Sequence, residues 1–213
     1  MVETTGARDL PQRGSAYPYV LIGLSGKAGS GKNTVADIIC DLVPGAEQYA
    51  LAGPLKKMAL AIDPLIWEDP EYRIKTHLAE LVAEYGWDYA KQLPEVRRFL
   101  QRLGTDGVRG TFGENVWVDL MLDWWEVTPA RVGVITDVRF PNELARVDVS
   151  VKVVRPNGNP LDGELAQHVS EQDLPTDFII RNDAGIAELS GEVLELLAGL
   201  GIPVSERDRF AAL

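Results

Sequence analysis

At 213 residues, 46% hydrophobic and 25% charged, the chain is long enough to bury the core of one globular domain and is not compositionally disordered. Lys and Arg number 21 against 32 Asp and Glu, a net charge of -11, which excludes a surface built to coat a nucleic-acid backbone. The one cysteine, Cys40, excludes an intrachain disulfide and fits a reducing compartment.

Residues 1–17 are polar, with Gly, Pro and Ser, and are expected to form a flexible tail ahead of a single domain over 18–213. No basic stretch is followed by an apolar one, so no secretory leader is expected. No apolar run approaches the ~18 residues of a membrane span, and a cytoplasmic location is expected. Tyr19 to Leu24 is an apolar run rich in β-branched residues, expected as a buried strand. A glycine-rich turn follows. Val35, Ile38, Ile39 and Leu42 then recur at helical spacing, predicting a helix over 33–42 that stops at Pro44 and Gly45. Cys40, inside this helix, reads as a packing thiol rather than a nucleophile.

Residues 54–126 read mostly as helix: Pro54–Ile62, Glu71–Tyr85, Glu95–Leu103 and Asn115–Trp125, punctuated by Pro and Gly. Strands return at Val132–Thr136, Val149–Val154 and Phe178–Ile180, and a helix over Gly185–Leu197 closes the pattern. Strands alternating with helices imply a mostly parallel sheet covered on both faces. The helical stretch between them reads as an insertion over the sheet's carboxyl edge, where open α/β folds bind ligands.

Gly26-Lys27-Ala28-Gly29-Ser30-Gly31-Lys32-Asn33-Thr34 lies between a predicted strand and a predicted helix, the setting that identifies a phosphate-binding P-loop. Its glycines let successive backbone N–H groups converge on phosphate oxygens, the helix N-terminus adds partial positive charge, and Lys32 adds a mobile full charge. A hydroxyl usually follows this Lys to hold Mg²⁺. Here Asn33 follows and Thr34 comes next, so either Thr34 or the Asn33 amide oxygen would take the metal.

A P-loop does not identify the acceptor. Lys56 and Lys57, at the start of a helix, read equally as an acceptor-phosphate site or as solvated lysines. Arg97, Arg98 and Arg102 cluster on a helix expected to end at Gly104, and guanidinium forks suit phosphate geometry. Asp137, Val138, Arg139, Phe140 and Glu143 follow a buried strand, where an acidic residue orients Mg²⁺ or the acceptor. The structural alternative makes Asp137 a helix cap and pairs Arg139 with Glu143. Arg155 precedes a Pro- and Asn-rich segment expected to be a lid over 155–172. His168 suits a helix start as well as a site, and Asn182-Asp183 would read adenine or form a simple turn.

Taken together, Gly26–Thr34, Leu51–Lys56, Arg97-Arg98 with Leu103–Asp106, Trp117-Val118, Asp137–Glu143, Val153–Pro156 and His168–Asp183 resemble, in order, the bacteriophage deoxynucleoside monophosphate kinases. The resemblance implies a P-loop NTPase fold of the nucleoside monophosphate kinase type: a parallel five-stranded sheet flanked by helices, with a helical acceptor-binding insertion and a lid. It implies transfer of the γ-phosphoryl group of ATP to a deoxynucleoside monophosphate, with Mg²⁺ between the nucleotides. That family also places a non-hydroxyl residue and then Thr after the Lys, as Asn33-Thr34 does here. Lys27 to Thr34, Arg155 and Asn182 would hold ATP. Lys56, Arg97, Arg98, Gly104, Thr105, Asp106, Trp117 and Asp137 to Phe140, with Glu143, would surround the acceptor. Lys32, Arg98, Asp137 and Arg139 would be catalytic. The rivals are a coenzyme A precursor kinase and a nucleotide-binding switch that transfers nothing. A homodimer is compatible with the sequence.

Overall fold

A computed structural model of the chain describes residues 2–4, 20–69, 71, 74–156 and 174–205. They form strands β1 (Glu3–Thr4), β2 (Val20–Ser25), β3 (Glu47–Tyr49), β4 (Leu65–Asp69), β5 (Ile74–His77), β6 (Val132–Ile135), β7 (Val149–Val154) and β8 (Phe178–Arg181). The helices are α1 (Lys32–Leu42), α2 (Ala52–Ile62), α3 (Leu78–Ala90), α4 (Pro94–Gln101), α5 (Gly110–Phe112), α6 (Val116–Val127), α7 (Pro141–Leu144) and α8 (Ile186–Gly199), with π-helical turns over Arg102–Arg109 between α4 and α5. The chain divides into two compact units, 1–50 with 121–213, and 51–120. Sequence reading expects one domain with an insertion over 54–126.

The first unit is built on a sheet of order β1-β8-β7-β2-β6-β3. The five strands from β8 to β3 run parallel, as expected, and β1 adds an antiparallel edge to β8. Strand β2 is central, and all six of its residues are buried. This is why its sequence is continuously apolar rather than alternating. Its side chains still alternate in direction. Val20, Ile22 and Leu24 join the core formed with Val35, Ile38 and Ile39 of α1 and Leu189, Val193 and Leu196 of α8. Gly23 is on the opposite face, where a Cβ would stand 2.9 Å from Val147, and Gly133 of β6 leaves room for the Trp125 ring.

Two expectations are corrected in this unit. Glu3 and Thr4, read as part of a flexible tail, pair with Ile179 and Phe178, and Arg181 holds Glu3 in an ion pair of 2.9 Å. Strand β3 has no counterpart among the predicted elements. Its three residues are too few to show alternation, and they are strand because they register on Gly133, Val134 and Ile135.

The second unit packs Ala59 of α2, Ile66 of β4, Leu78, Leu81 and Ala90 of α3 and Val96 of α4 into its own core. Here the mostly helical expectation fails at the hairpin β4–β5, antiparallel with Leu65 opposite His77 and Ile66 opposite Thr76. Ile and Thr favour the pleated conformation, and each strand supplies the other's hydrogen bonds. The helix expected over 71–85 therefore starts only at Leu78, where Asp63 Oδ1 accepts the N–H of Ala79 at 2.8 Å and caps it. The helix expected to end at Gly104 instead continues into the π-helical turns. Gly104 does not serve as a cap; a Cβ there would stand 3.0 Å from Leu55, so the absent side chain permits close packing. The expected lid beyond Pro156, together with His168, lies outside the described residues.

Candidate functional site

In the first unit the expected site residues gather at the carboxyl ends of the parallel strands. The P-loop follows β2, Asp137 to Glu143 follow β6, Arg155 follows β7 and Asn182 follows β8. Since β8, β7, β2 and β6 are consecutive in the sheet, these four segments lie along one edge. That edge is where ligands bind in open α/β sheets.

The P-loop backbone depends on glycine. Gly26 (φ 136°), Gly29 (φ 75°) and Gly31 (φ 101°) all occupy the positive-φ region that L side chains rarely adopt. Space adds a second requirement: a Cβ on Gly26 would stand 2.3 Å from the Val153 carbonyl oxygen, and one on Gly31 2.3 Å from Asn182 Nδ2. Gly31 is the N-cap of α1 and carries no side chain to satisfy the first-turn N–H groups, which leaves that end suited to an anion. No acidic residue lies in the first turn of α1. Lys32 Nζ donates to the carbonyl oxygens of Gly26 at 2.6 Å and Lys27 at 2.8 Å, so the amine stays folded against the loop. Ser30 is 3% exposed, and its Oγ has no hydrogen-bond partner among the described residues. Lys27, Ala28, Gly29 and Asn33 are exposed, and Thr34 is half-buried.

The loop after β6 is tied to its neighbours through the backbone. Thr136 N–H donates to Tyr49 O at 3.0 Å and Val138 N–H to Leu24 O at 3.2 Å, which brings the loop beside the strand that leads into the P-loop. Val138 is buried, Asp137 is half-buried and Arg139 is exposed. Glu143 is 3% exposed, and its Oε2 accepts the backbone N–H groups of Arg139 at 2.8 Å and Phe140 at 3.1 Å. Glu143 thus braces the segment that carries Arg139. Asn182 is fixed to the neighbouring strand by its N–H, which donates to Val154 O at 2.8 Å, while its Nδ2 donates to Ser30 O at 2.9 Å. The family resemblance implies Asn182 near adenine and the sequence alone allows a simple turn; neither signals this brace, because the two partners are 152 positions apart.

In the second unit, Arg98, Thr105 and Asp106 are exposed on α4 and the π-helical turns. Lys56 Nζ lies 5.6 Å from the centroid of the Trp87 ring, a cation–π contact that holds the ammonium beside α3. Arg97 is half-buried, and its Nε donates to Lys91 O at 2.8 Å, closing the end of α3. Trp117 is 4% exposed, and its indole N–H donates to Gly104 O at 3.2 Å. π-Helical turns shift the carbonyl pairing of a helix, and this side chain supplies a donor there.

No group of three or more His, Cys, Asp or Glu suited to a metal occurs among the described residues. No helix among them is long and apolar enough to cross a membrane.

The deoxynucleoside-5'-monophosphate kinase of Escherichia phage T5 is 26% identical over 174 residues, covering 58% of this chain and 70% of its own. A protein of Acanthamoeba polyphaga mimivirus, provisionally named a deoxynucleotide monophosphate kinase, is 27% identical over 201 residues, covering 82% and 94%. Among solved structures, TT1252 from Thermus thermophilus shares 21% identity over 86% of this chain and 98% of its own, with a TM-score of 0.47. The sequence profile described as deoxynucleotide monophosphate kinase matches residues 66–193, more than half of the chain, and the protein belongs to that kinase family.

Proposed function

We propose that the protein transfers the γ-phosphoryl group of ATP to a deoxynucleoside monophosphate, giving the diphosphate and ADP, with the P-loop of the first unit holding the triphosphate. The observation that carries this reading is the glycine cradle around Lys32. Three positive-φ glycines, an N-cap without a side chain and a folded-back ammonium form an anion site at one helix end. An oxygen of the acceptor phosphate bonds to the γ-phosphorus while the bond from that phosphorus to the β–γ bridging oxygen breaks, and ADP leaves with that oxygen. The attacking oxygen is already anionic, so no strong general base is required. Positioning and charge neutralisation are the protein's share of the work.

Within that reading, Lys32 and the loop amides neutralise the transferred group. Arg139 holds the acceptor phosphate, with Glu143 fixing the backbone beneath it. Arg98, Lys56, Thr105 and Asp106 belong to the acceptor side. Arg97 and Trp117, whose polar atoms serve Lys91 and Gly104, support these residues from within the second unit. Arg155 assists with ATP. The residues also fit Mg²⁺: Thr34 offers a hydroxyl and Asp137 a carboxylate, hard oxygen donors of the kind that hold this ion with few protein ligands. Bound there, Mg²⁺ would neutralise β- and γ-phosphate charge. A cytoplasmic setting suits nucleotide substrates and the lone thiol.

Coupled ATP-to-ADP turnover with each common deoxynucleoside monophosphate, against a coenzyme A precursor as control acceptor, tests the reading. Acceptor-dependent turnover with at least one deoxynucleotide is expected. Lys32→Ala and Arg139→Ala should each lower it by ~10² to 10³, the usual cost of one transition-state charge donor. Turnover within about twofold of the parent would remove these residues from the mechanism.

A further inference from the structure

We propose that Asn182 is a positioning residue for the phosphate loop: its side-chain amide fixes the Ser30–Gly31 peptide so that the Gly31 N–H, not the Ser30 carbonyl, points at the bound phosphates. The inference rests on the reading that the P-loop holds the triphosphate.

The carbonyl and N–H of a trans peptide point in opposite directions, so holding one determines where the other points. Asn182 Nδ2 holds Ser30 O at 2.9 Å. The Asn182 backbone is itself anchored, its N–H donating to Val154 O at 2.8 Å where β7 ends. The brace therefore connects the rigid sheet to one peptide of the loop.

The conformation of this peptide gives such a brace a purpose. Gly31 sits at φ 101°, and glycine populates both signs of φ about equally. Reversal of the peptide would replace a donor by a carbonyl oxygen facing phosphate, turning attraction into repulsion at the N-terminus of α1. Asn182 also closes the space around Gly31, since a Cβ there would lie 2.3 Å from Nδ2. At the same turn the buried Ser30 Oγ lacks a partner among the described residues, so hydrogen-bonding capacity remains for a ligand. The amide of Asn182 donates to the protein's own backbone, a role distinct from reading the adenine edge.

The test compares two ligands that share a triphosphate, only one of which has a base: ATP and inorganic tripolyphosphate, each with Mg²⁺, bound to the full chain and followed by calorimetry. Asn182→Ala should weaken both by the same factor, roughly tenfold for one lost hydrogen bond that orders a charge-binding donor. The KM for ATP should rise while the KM for the deoxynucleotide stays within about twofold. Asn182→Asp, nearly isosteric but unable to donate when ionised, should weaken both ligands further than Ala. Loss of ATP affinity with tripolyphosphate unchanged would make Asn182 a base reader and overturn the proposal. Unchanged binding of both would also overturn it. So would a lowered melting temperature with both KM values raised equally, which would indicate a purely structural role. If the parent protein binds neither ligand, the phosphate-loop reading itself fails, an outcome distinct from the others.

Discussion

Glu143 holds Arg139 by the backbone: its buried carboxylate accepts the Arg139 N–H at 2.8 Å and the Phe140 N–H at 3.1 Å. Both donors are part-buried, and a hydrogen bond to a charged group contributes ~1.5–3 kcal/mol, so Glu143→Ala should destabilise the protein by about 2–4 kcal/mol and lower turnover through a loosened Arg139. Glu143→Gln keeps an acceptor oxygen and should cost less than half as much. Urea denaturation of the two variants measures the difference, and equal losses would show that the hydrogen bonds are not what matters.

The indole of Trp117 should be needed for its N–H as well as its bulk. Trp117→Phe keeps most of the apolar volume but leaves the Gly104 carbonyl without this donor, a loss of about 1–2 kcal/mol. Trp67, 36% exposed beside Lys75, provides the control: Trp67→Phe should change stability by less than about 0.5 kcal/mol. Melting temperatures of the two variants should therefore separate clearly.

Asp63 combines a strained backbone with a cap. It alone among the described non-glycine residues has positive φ, 47°, and its Oδ1 accepts the Ala79 N–H at 2.8 Å. Asn tolerates that conformation and keeps the acceptor, Gly removes the strain but loses the cap, and Ala does neither. Chemical denaturation should rank the variants Asp and Asn first, then Gly, then Ala, with Ala about 1–2 kcal/mol below the parent. A Gly variant less stable than Ala would contradict the strain argument.

Burial pushes the Cys40 thiol up from its ordinary range, Asp37, Asp41 and Glu47 add to the shift, and a hydrogen bond with Gln48 partly opposes it. The folded protein should therefore hold this proton at pH values where the unfolded chain has lost it. The linked stability is fully present below the unfolded thiol's pKa and is lost as pH rises through that of the folded protein. Iodoacetamide should alkylate the native protein more slowly than the guanidinium-unfolded chain near pH 8 to 9. Cys40→Ala should flatten this part of the alkaline stability loss. Equal alkylation rates in the two states would refute the shift.

Local signals were legible where one segment carries its own pattern. The apolar run of β2, the glycines after it and the 3.6-residue spacing of α1 together describe strand, loop and helix, and the apolar run Val149–Val154 coincides with β7. Elements created by a distant partner were not legible. Glu3–Thr4 is strand only because Phe178 and Ile179 offer a free edge, and β5 is strand only because β4 pairs with it inside a helix-rich stretch. The site divides in the same way. The P-loop could be read from nine consecutive residues. The braces beneath it could not, because Asn182 and Ser30 meet through the sheet and Glu143 acts through backbone N–H groups that no side-chain pattern reveals.

The pairing of β2 has a consequence for the order in which the enzyme assembles. Val20 registers on Val132 and Ile22 on Val149, so both neighbours of the strand that leads into the phosphate loop are synthesised after the whole 51–120 unit. A nascent chain that ends before β7 has the loop's sequence but lacks the Val153 carbonyl against which Gly26 packs. Non-local pairings of this kind slow folding, because the intervening chain must be closed before any contact rewards it. Nucleotide binding should therefore arise late on the ribosome, after the 51–120 unit has already had the chance to fold.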